Sequence, residues 1–219
     1  MLGVWGAAPS ARGDVIFNNF GDGDTFVGWA ANTVVWKSSP QSATFHAEQF
    51  VVGNEHSLGY TPDKVVVAIA KMAAIHTFNL SICLDNNGKP GGVAYVVSSN
   101  SASWPSSPEK TEIDITGPKT IPLLPGRKYW LVASLTADTE VTYNWYFNNG
   151  IMMGTMGDHA VKSYAGGSWG DWQVSSTPMI GVFRIEGTVI VPEPSTCMLF
   201  GLCSMIGGLG AWRRRRKRT

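Results

Sequence analysis

Charge is scarce in this chain. Asp, Glu, Lys and Arg make up 15% of its 219 residues, against roughly one quarter in ordinary soluble domains. What charge there is lies unevenly. Arg213–Arg218 hold six of the 17 basic residues, leaving 11 basic against 16 acidic elsewhere, a net −5. A mildly acidic body lacks the basic footprint that nucleic acid demands, so no nucleic-acid partner is expected. Cysteine is scarcer still: Cys197 and Cys203 lie in the apolar tail and only Cys83 in the body. That excludes a disulfide framework, and with no CxxC or Cys/His pair it removes zinc-type ligand spacing as well. Cys83, inside the alternating run TFNLSICL, reads as a small packing residue rather than a nucleophile. His46, His56, His76 and His159 are scattered, without HExxH, G-x-S-x-G or a phosphate loop nearby. The acidic residues form no recognisable pair for glycoside hydrolysis. The expectation is a protein that is not an enzyme and holds no cofactor.

The body does have alternation. In HTFNLSICL, Phe78, Leu80, Ile82 and Leu84 share one face; in RKYWLVASL, Tyr129, Leu131 and Ala133 oppose Trp130 and Val132. In EVTYNWYFNN, Val141, Tyr143, Trp145 and Phe147 oppose Asn144 and Tyr146. Period two is the pattern of a strand with one buried side. KVVVAIAK and GGVAYVVSS are β-branched runs of strand length, and Val15–Phe20, Ala43–Val52, Thr111–Thr116, His159–Tyr164 and Pro178–Val189 add more. Between them stand FGDGD, GYTPD, DNNGKPGG, SSNSASWPSSP, TGPKTIPLLPGRK and YAGGSWGDW, where Gly, Pro, Asn and Asp favour turns. About ten short strands without a helical period predict an all-β, antiparallel β-sandwich or jelly roll over residues 14–190. Asp22 and Asp24 sit on a Gly-rich turn and are weak Ca²⁺ candidates. They lack EF-hand spacing, so a plain turn is the simpler reading and no metal site is expected.

The succession ATFHAEQFVVG, TPDKVVVAIAK, FNLSICLDNNGKPGGVAY, LLPGRKYWLVASL and FRIEGTV resembles the bacterial choice-of-anchor R domains. The matching positions are Phe50 to Gly53, Asp85 to Gly91, Leu124 to Leu131 and Ile185 to Thr188, within residues 15–190. The resemblance implies a surface β-sandwich of unassigned activity.

The C-terminal stretch VPEPSTCMLFGLCSMIGGLGAWRRRRKRT has three parts. Pro192 and Pro194 fix φ and push their preceding residues toward extended backbone. Extended chain suits a protease or transpeptidase cleft, and equally a juxtamembrane linker. Cys197 to Trp212 is free of charge. A single transmembrane helix is taken as 196–212; its sixteen uncharged residues from Cys197 to Trp212 span about 24 Å, somewhat short of the roughly 30 Å hydrocarbon layer. Trp212 suits the interface and the arginines behind it can snorkel. Arg213, Arg214, Arg215, Arg216, Lys217 and Arg218 each cost about 2.5–3.5 kcal/mol at the membrane centre, so they stop transfer and leave the C-terminus cytoplasmic. Cys203, Gly207 and Ala211 recur at four-residue spacing, a face on which another helix could pack.

Pro192-Glu193-Pro194, the apolar span and the basic block together resemble the PEP-CTERM sorting signal. The resemblance implies recognition and removal of the tail by exosortase, a membrane transpeptidase, in a Gram-negative, exopolysaccharide-producing bacterium. The precursor would be tethered at the inner membrane, with the mature domain at the cell surface or outside. Residues 1–13 read as a signal-peptide remnant or a disordered N-terminus, since Gly6-Ala7-Ala8 has the look of a cleavage site but no basic n-region precedes it.

These readings converge on a non-catalytic exported protein of the extracellular polysaccharide matrix. Two alternatives stand beside it: a carbohydrate-binding module and a glycan-active hydrolase. For the first, Trp104, Trp169 and Trp172 are the candidate contacts, because large aromatics in polar loops need a reason. A sugar platform is one reason; a flap folded back on the core is the other.

Overall fold

The computed structural model describes residues 13–21, 23–38, 41–73, 77–98, 105–119, 121–136, 141–147, 156–165, 168–175 and 181–191. The chain divides into two units, Met1–Val189 and Ile190–Thr219. In the first, the strands are β1 (Asp14–Asn18), β2 (Val27–Ser38), β3 (Gln41–Val51), β4 (Tyr60–Ala73), β5 (Thr77–Asp85), β6 (Pro90–Ser98) and β7 (Glu109–Asp114). They continue with β8 (Lys128–Thr136), β9 (Val141–Phe147), β10 (Met156–Ala165), β11 (Ser168–Trp169), β12 (Gln173–Ser175) and β13 (Phe183–Val189). Every pairing is antiparallel. Among the described residues there is no helix, and none long and apolar enough to cross a membrane. The expected helix at 196–212 lies outside them.

The main path runs β1-β13-β4-β9-β2-β3-β8-β5-β6, with β7 on the edge of β4 opposite β13 and β9, and β10 on the edge of β3 opposite β2 and β8. Alternation decides what faces inward. Leu80 and Ile82 of β5, Tyr129, Leu131 and Ala133 of β8, and Tyr143 and Trp145 of β9 enter one buried cluster. They meet Val65, Val67 and Ile69 of β4 there, together with Phe183 and Ile185 of β13. Residues from both ends of the strand order thus share a single interior. Leu84 continues the β5 face but is exposed at 39%, because the strand outruns the core there.

The outward sides are partly apolar too. Trp130 and Val132 of β8 form a second cluster with Ala47, Cys83 and Ala160, and Trp172 packs on it. Phe20, Val66, Ala68, Ala70, Tyr146 and Val182 form a third. The hydroxyl of Tyr95 in the main cluster donates to the Ile121 carbonyl.

Three elements depart from the expected pattern, the first being GYTPD, whose Tyr60 to Asp63 open strand β4 instead of forming a turn. β2 is a strand of 12 residues where none is expected from the sequence; its register breaks between Val27 and Ala31, which erases the period-two signal. YAGGSWGDW is not simply a turn: β11 and β12 fold back to pair with β10. The DNNGKPGG turn is a tight β5–β6 connection with positive φ at Asn87 and Gly88. The Asp85 carboxylate pins it, accepting from Gly88 N at 3.1 Å, Trp130 Nε1 at 2.8 Å and Gln49 Nε2 at 3.1 Å.

Candidate functional site: an aromatic groove, an ion-paired face and a C-terminal signal

The aromatic groove lies on the outward face of β3, β8 and β5. Because side chains alternate, Val132, Ser134, Ser81 and Cys83 emerge on the side away from the main core, and Phe45, which also packs against that core, joins them in lining the groove. β10 adds Lys162, and the β11–β12 flap brings Trp169 and Trp172 over the edge, enclosing about 260 Å³. Trp169 stands 4.4 Å from the Phe45 ring and 5.1 Å from Tyr164, centroid to centroid, with 41% of its surface exposed. Lys162 Nζ lies 5.6 Å from the Trp169 centroid and 5.8 Å from that of Trp172. Asp171 does not take this cation: its Oδ2 pairs with Lys89 at 2.6 Å and its Oδ1 accepts from Trp172 N at 2.9 Å. Cys83 is buried beneath the groove, and burial pushes its thiol up to about 11, so it stays a neutral thiol. Trp172 is the flap residue that folds on the core, whereas Trp169 keeps 41% of its surface exposed. Trp104 lies outside the described residues.

A second concavity carries a cluster of acidic side chains. It encloses about 740 Å³ at β4, β7 and β13 and is lined by Asp63, Glu112, Asp114 and Glu186, with Asp24 and Arg184. Asp24 Oδ2 binds Arg184 at 2.6 Å and Lys110 at 3.3 Å; Glu112 binds Lys64 at 2.6 Å. The Arg184 hydrogen bond holds Asp24 below the usual carboxylate range, and the Lys64 hydrogen bond does the same for Glu112. For Asp63, burial pulls upward, but hydrogen bonds from Lys119 and Thr188 outweigh it and the carboxyl is lowered. Asp24, weighed above as a Ca²⁺ ligand, is therefore the hub of an ion-pair network. Asp22 lies outside the described residues. Among the described residues no three His, Cys, Asp or Glu side chains are grouped to hold a metal.

A third polar group was invisible to sequence reasoning. His46, Glu48 and His159 are buried between strands, at 7%, 0% and 5% exposure. His46 Nε2 lies 3.1 Å from the Thr33 carbonyl oxygen, His46 Nδ1 lies 3.3 Å from His159 Nε2, and His159 Nδ1 lies 3.0 Å from Glu48 Oε1. Both ends of this relay are acceptors. All three contacts are satisfied only when the two rings hold three N–H protons between them, one more than two neutral imidazoles carry. Glu48 Oε1 also accepts from Gly181 N at 2.9 Å. Burial first, then the neighbouring His159, lowers His46 to about 4. The relay has the composition of a catalytic base, but its members are enclosed by β2, β3 and β10.

The C-terminal unit supplies a different kind of site. Residues 191–216 match the PEP-CTERM protein-sorting motif. The chain carries a PEP-CTERM signal. Pro192, Glu193 and Pro194 and the basic residues Arg213–Arg216 fall inside the matched span, while Lys217 and Arg218 follow it. All of them lie outside the described residues. The PEP-CTERM motif supports an exported protein that is sorted through a membrane-anchored precursor, with exosortase as the processing partner. No curated protein matches the chain.

Proposed function

We propose that this protein is a non-catalytic, surface-delivered β-sandwich, tethered through residues 196–212 and released from its tail near Pro192-Glu193-Pro194 by exosortase. The mature domain then acts in the extracellular polysaccharide matrix. The observation that carries this reading is the PEP-CTERM match at residues 191–216. The physics of the tail supports it. A short apolar span followed by six cations enters a membrane but does not pass through it, so the domain is left outside with the Pro-Glu-Pro segment between it and the span. The resemblance of the body to choice-of-anchor R domains agrees with a surface role.

The site chemistry favours a non-catalytic role over a glycan hydrolase. A general acid for glycoside cleavage must hold its proton near neutral pH. Asp24, Asp63 and Glu112 are shifted the other way by their cationic partners. The one His–Glu relay among the described residues is buried away from either concavity.

Mass spectrometry of the mature protein from its native host tests the proposal. The expected product lacks the residues beyond the Pro-Glu-Pro segment and fractionates with the envelope or medium. Cytosolic protein with Thr219 still attached would overturn it.

A further inference from the structure

From the aromatic groove we infer a binding site for a carboxylated sugar: one uronate residue of an anionic polysaccharide stacks on Trp169 while its carboxylate reaches Lys162. The assignment rests on the surface-matrix reading above and gives that reading a ligand class.

Three observations lead to it. First, Trp169 is held but not covered. Phe45 and Tyr164 fix the ring from the protein side, yet 41% of the residue faces solvent. A pre-positioned indole loses little entropy on binding, and its negative face meets the weakly positive C–H face of a pyranose. Second, Lys162 brings its amine to both indoles. Among the described residues no carboxylate lies within ion-pair distance of it, because Asp171 is turned to Lys89 and to its own backbone neighbour. Resting over two indoles holds an exposed ammonium only weakly, so a carboxylate can take it without removing the rings from the sugar. Third, the floor is not uniformly apolar. Ser81 and Ser134 bring hydroxyls into the groove beside the aromatic wall, which suits the mixed donors and acceptors of a sugar ring better than an aliphatic peptide side chain.

The charge layout supports an anionic ligand despite the body's net −5. Asp24, Asp63, Glu112, Asp114 and Glu186 line the β4–β7–β13 concavity. None of them lines the aromatic groove, where Lys162 is the charged residue.

The test uses the full-length protein in non-ionic detergent, with polygalacturonate, its methyl ester and dextran as probes in isothermal titration. Polygalacturonate should bind best. Trp169→Ala should weaken binding of the acid and the ester alike by about tenfold or more, while Trp169→Phe retains most of it. Lys162→Gln should abolish the preference for acid over ester and flatten the salt dependence. Lys119→Gln, at the cation paired to Asp63, should change nothing. Wild-type binding by both groove variants would overturn the assignment, as would equal binding of all three probes or an equal loss in Lys119→Gln. Tail trimming of the wild-type protein in the native host separates the two readings. Absent polygalacturonate binding by the wild type with normal trimming removes the groove assignment alone; binding with an untrimmed tail removes the sorting reading alone.

Discussion

Acidification should destabilise this fold through one identifiable side chain. His46 is held at about 4 in the folded protein, against an ordinary value of 6.5. Burial makes its charged form costly, and the neighbouring His159 at 3.3 Å adds to that cost. Between pH 6.5 and 4 the unfolded chain therefore binds a proton at His46 that the folded chain does not. Stability follows the excess of protons bound by the unfolded state, so it rises with pH across this window. The contribution is complete above about pH 6.5 and drains away as pH falls toward 4. The full shift corresponds to roughly 3 kcal/mol, and about 2 kcal/mol of it is lost on going from pH 7 to pH 5. A His46→Gln variant removes the titration while Glu48 and His159 remain, so their own contributions largely cancel in the comparison. Urea unfolding followed by tryptophan fluorescence gives the measurement, since Trp130 and Trp145 are fully buried. The wild type should lose about 2 kcal/mol more than His46→Gln between pH 7 and pH 5. Parallel pH dependences in the two proteins would refute the account of the relay.

The same interior yields sharper substitutions. A Cβ on Gly181 would sit 2.6 Å from the Trp145 ring, so Gly181→Ala should cost about 1–3 kcal/mol, seen as a lowered thermal midpoint. Asn19 donates to the Gly181 carbonyl at 3.0 Å and accepts from Phe183 N at 2.6 Å, both buried. Asn19→Ala should cost about 2–4 kcal/mol by leaving two backbone groups unpartnered. Lys64→Ala, by contrast, breaks only a surface pair whose Glu112 side chain is 58% exposed, and chemical denaturation should register no more than about 0.5 kcal/mol.

What the sequence disclosed and what it hid follow from range. Strands β5, β8 and β9 are legible because one face of each is buried, so Leu80/Ile82, Tyr129/Leu131 and Tyr143/Trp145 announce the core through local alternation. The β5–β6 turn is legible because Asn87 and Gly88 need positive φ. The sequence assigns no strand to β2, which is held by its neighbours β3 and β9 across an interrupted register. His46 and His159 lie 113 residues apart, and only the β3–β10 pairing brings them together, so no spacing rule could have found the relay. The tryptophans show the same limit: composition marked Trp169 and Trp172 as unusual, but the β10–β12 hairpin decides that one covers Cys83 and Trp130 while the other faces outward.

The address and the fold should also prove separable. β13 completes its register against β4 at Val189, opposite Tyr60, and among the described residues the core clusters draw their members from Ile16 to Val189. The sorting match begins two residues later, at 191. A chain ended after Val191 should therefore keep the thermal midpoint of the full-length protein, because the apolar area that stabilises it is unchanged. It should fail to enter the membrane-tethered pool, since the apolar span and the six cations are gone. Conversely, residues 190–219 fused to an unrelated exported carrier should confer tethering and trimming on it, read by the same C-terminal mass spectrometry. A carrier left uncut in the native host, while this protein is cut there, would mean that the processing enzyme also reads the body. Specificity would then reside in a surface of the strands rather than in the tail's sequence.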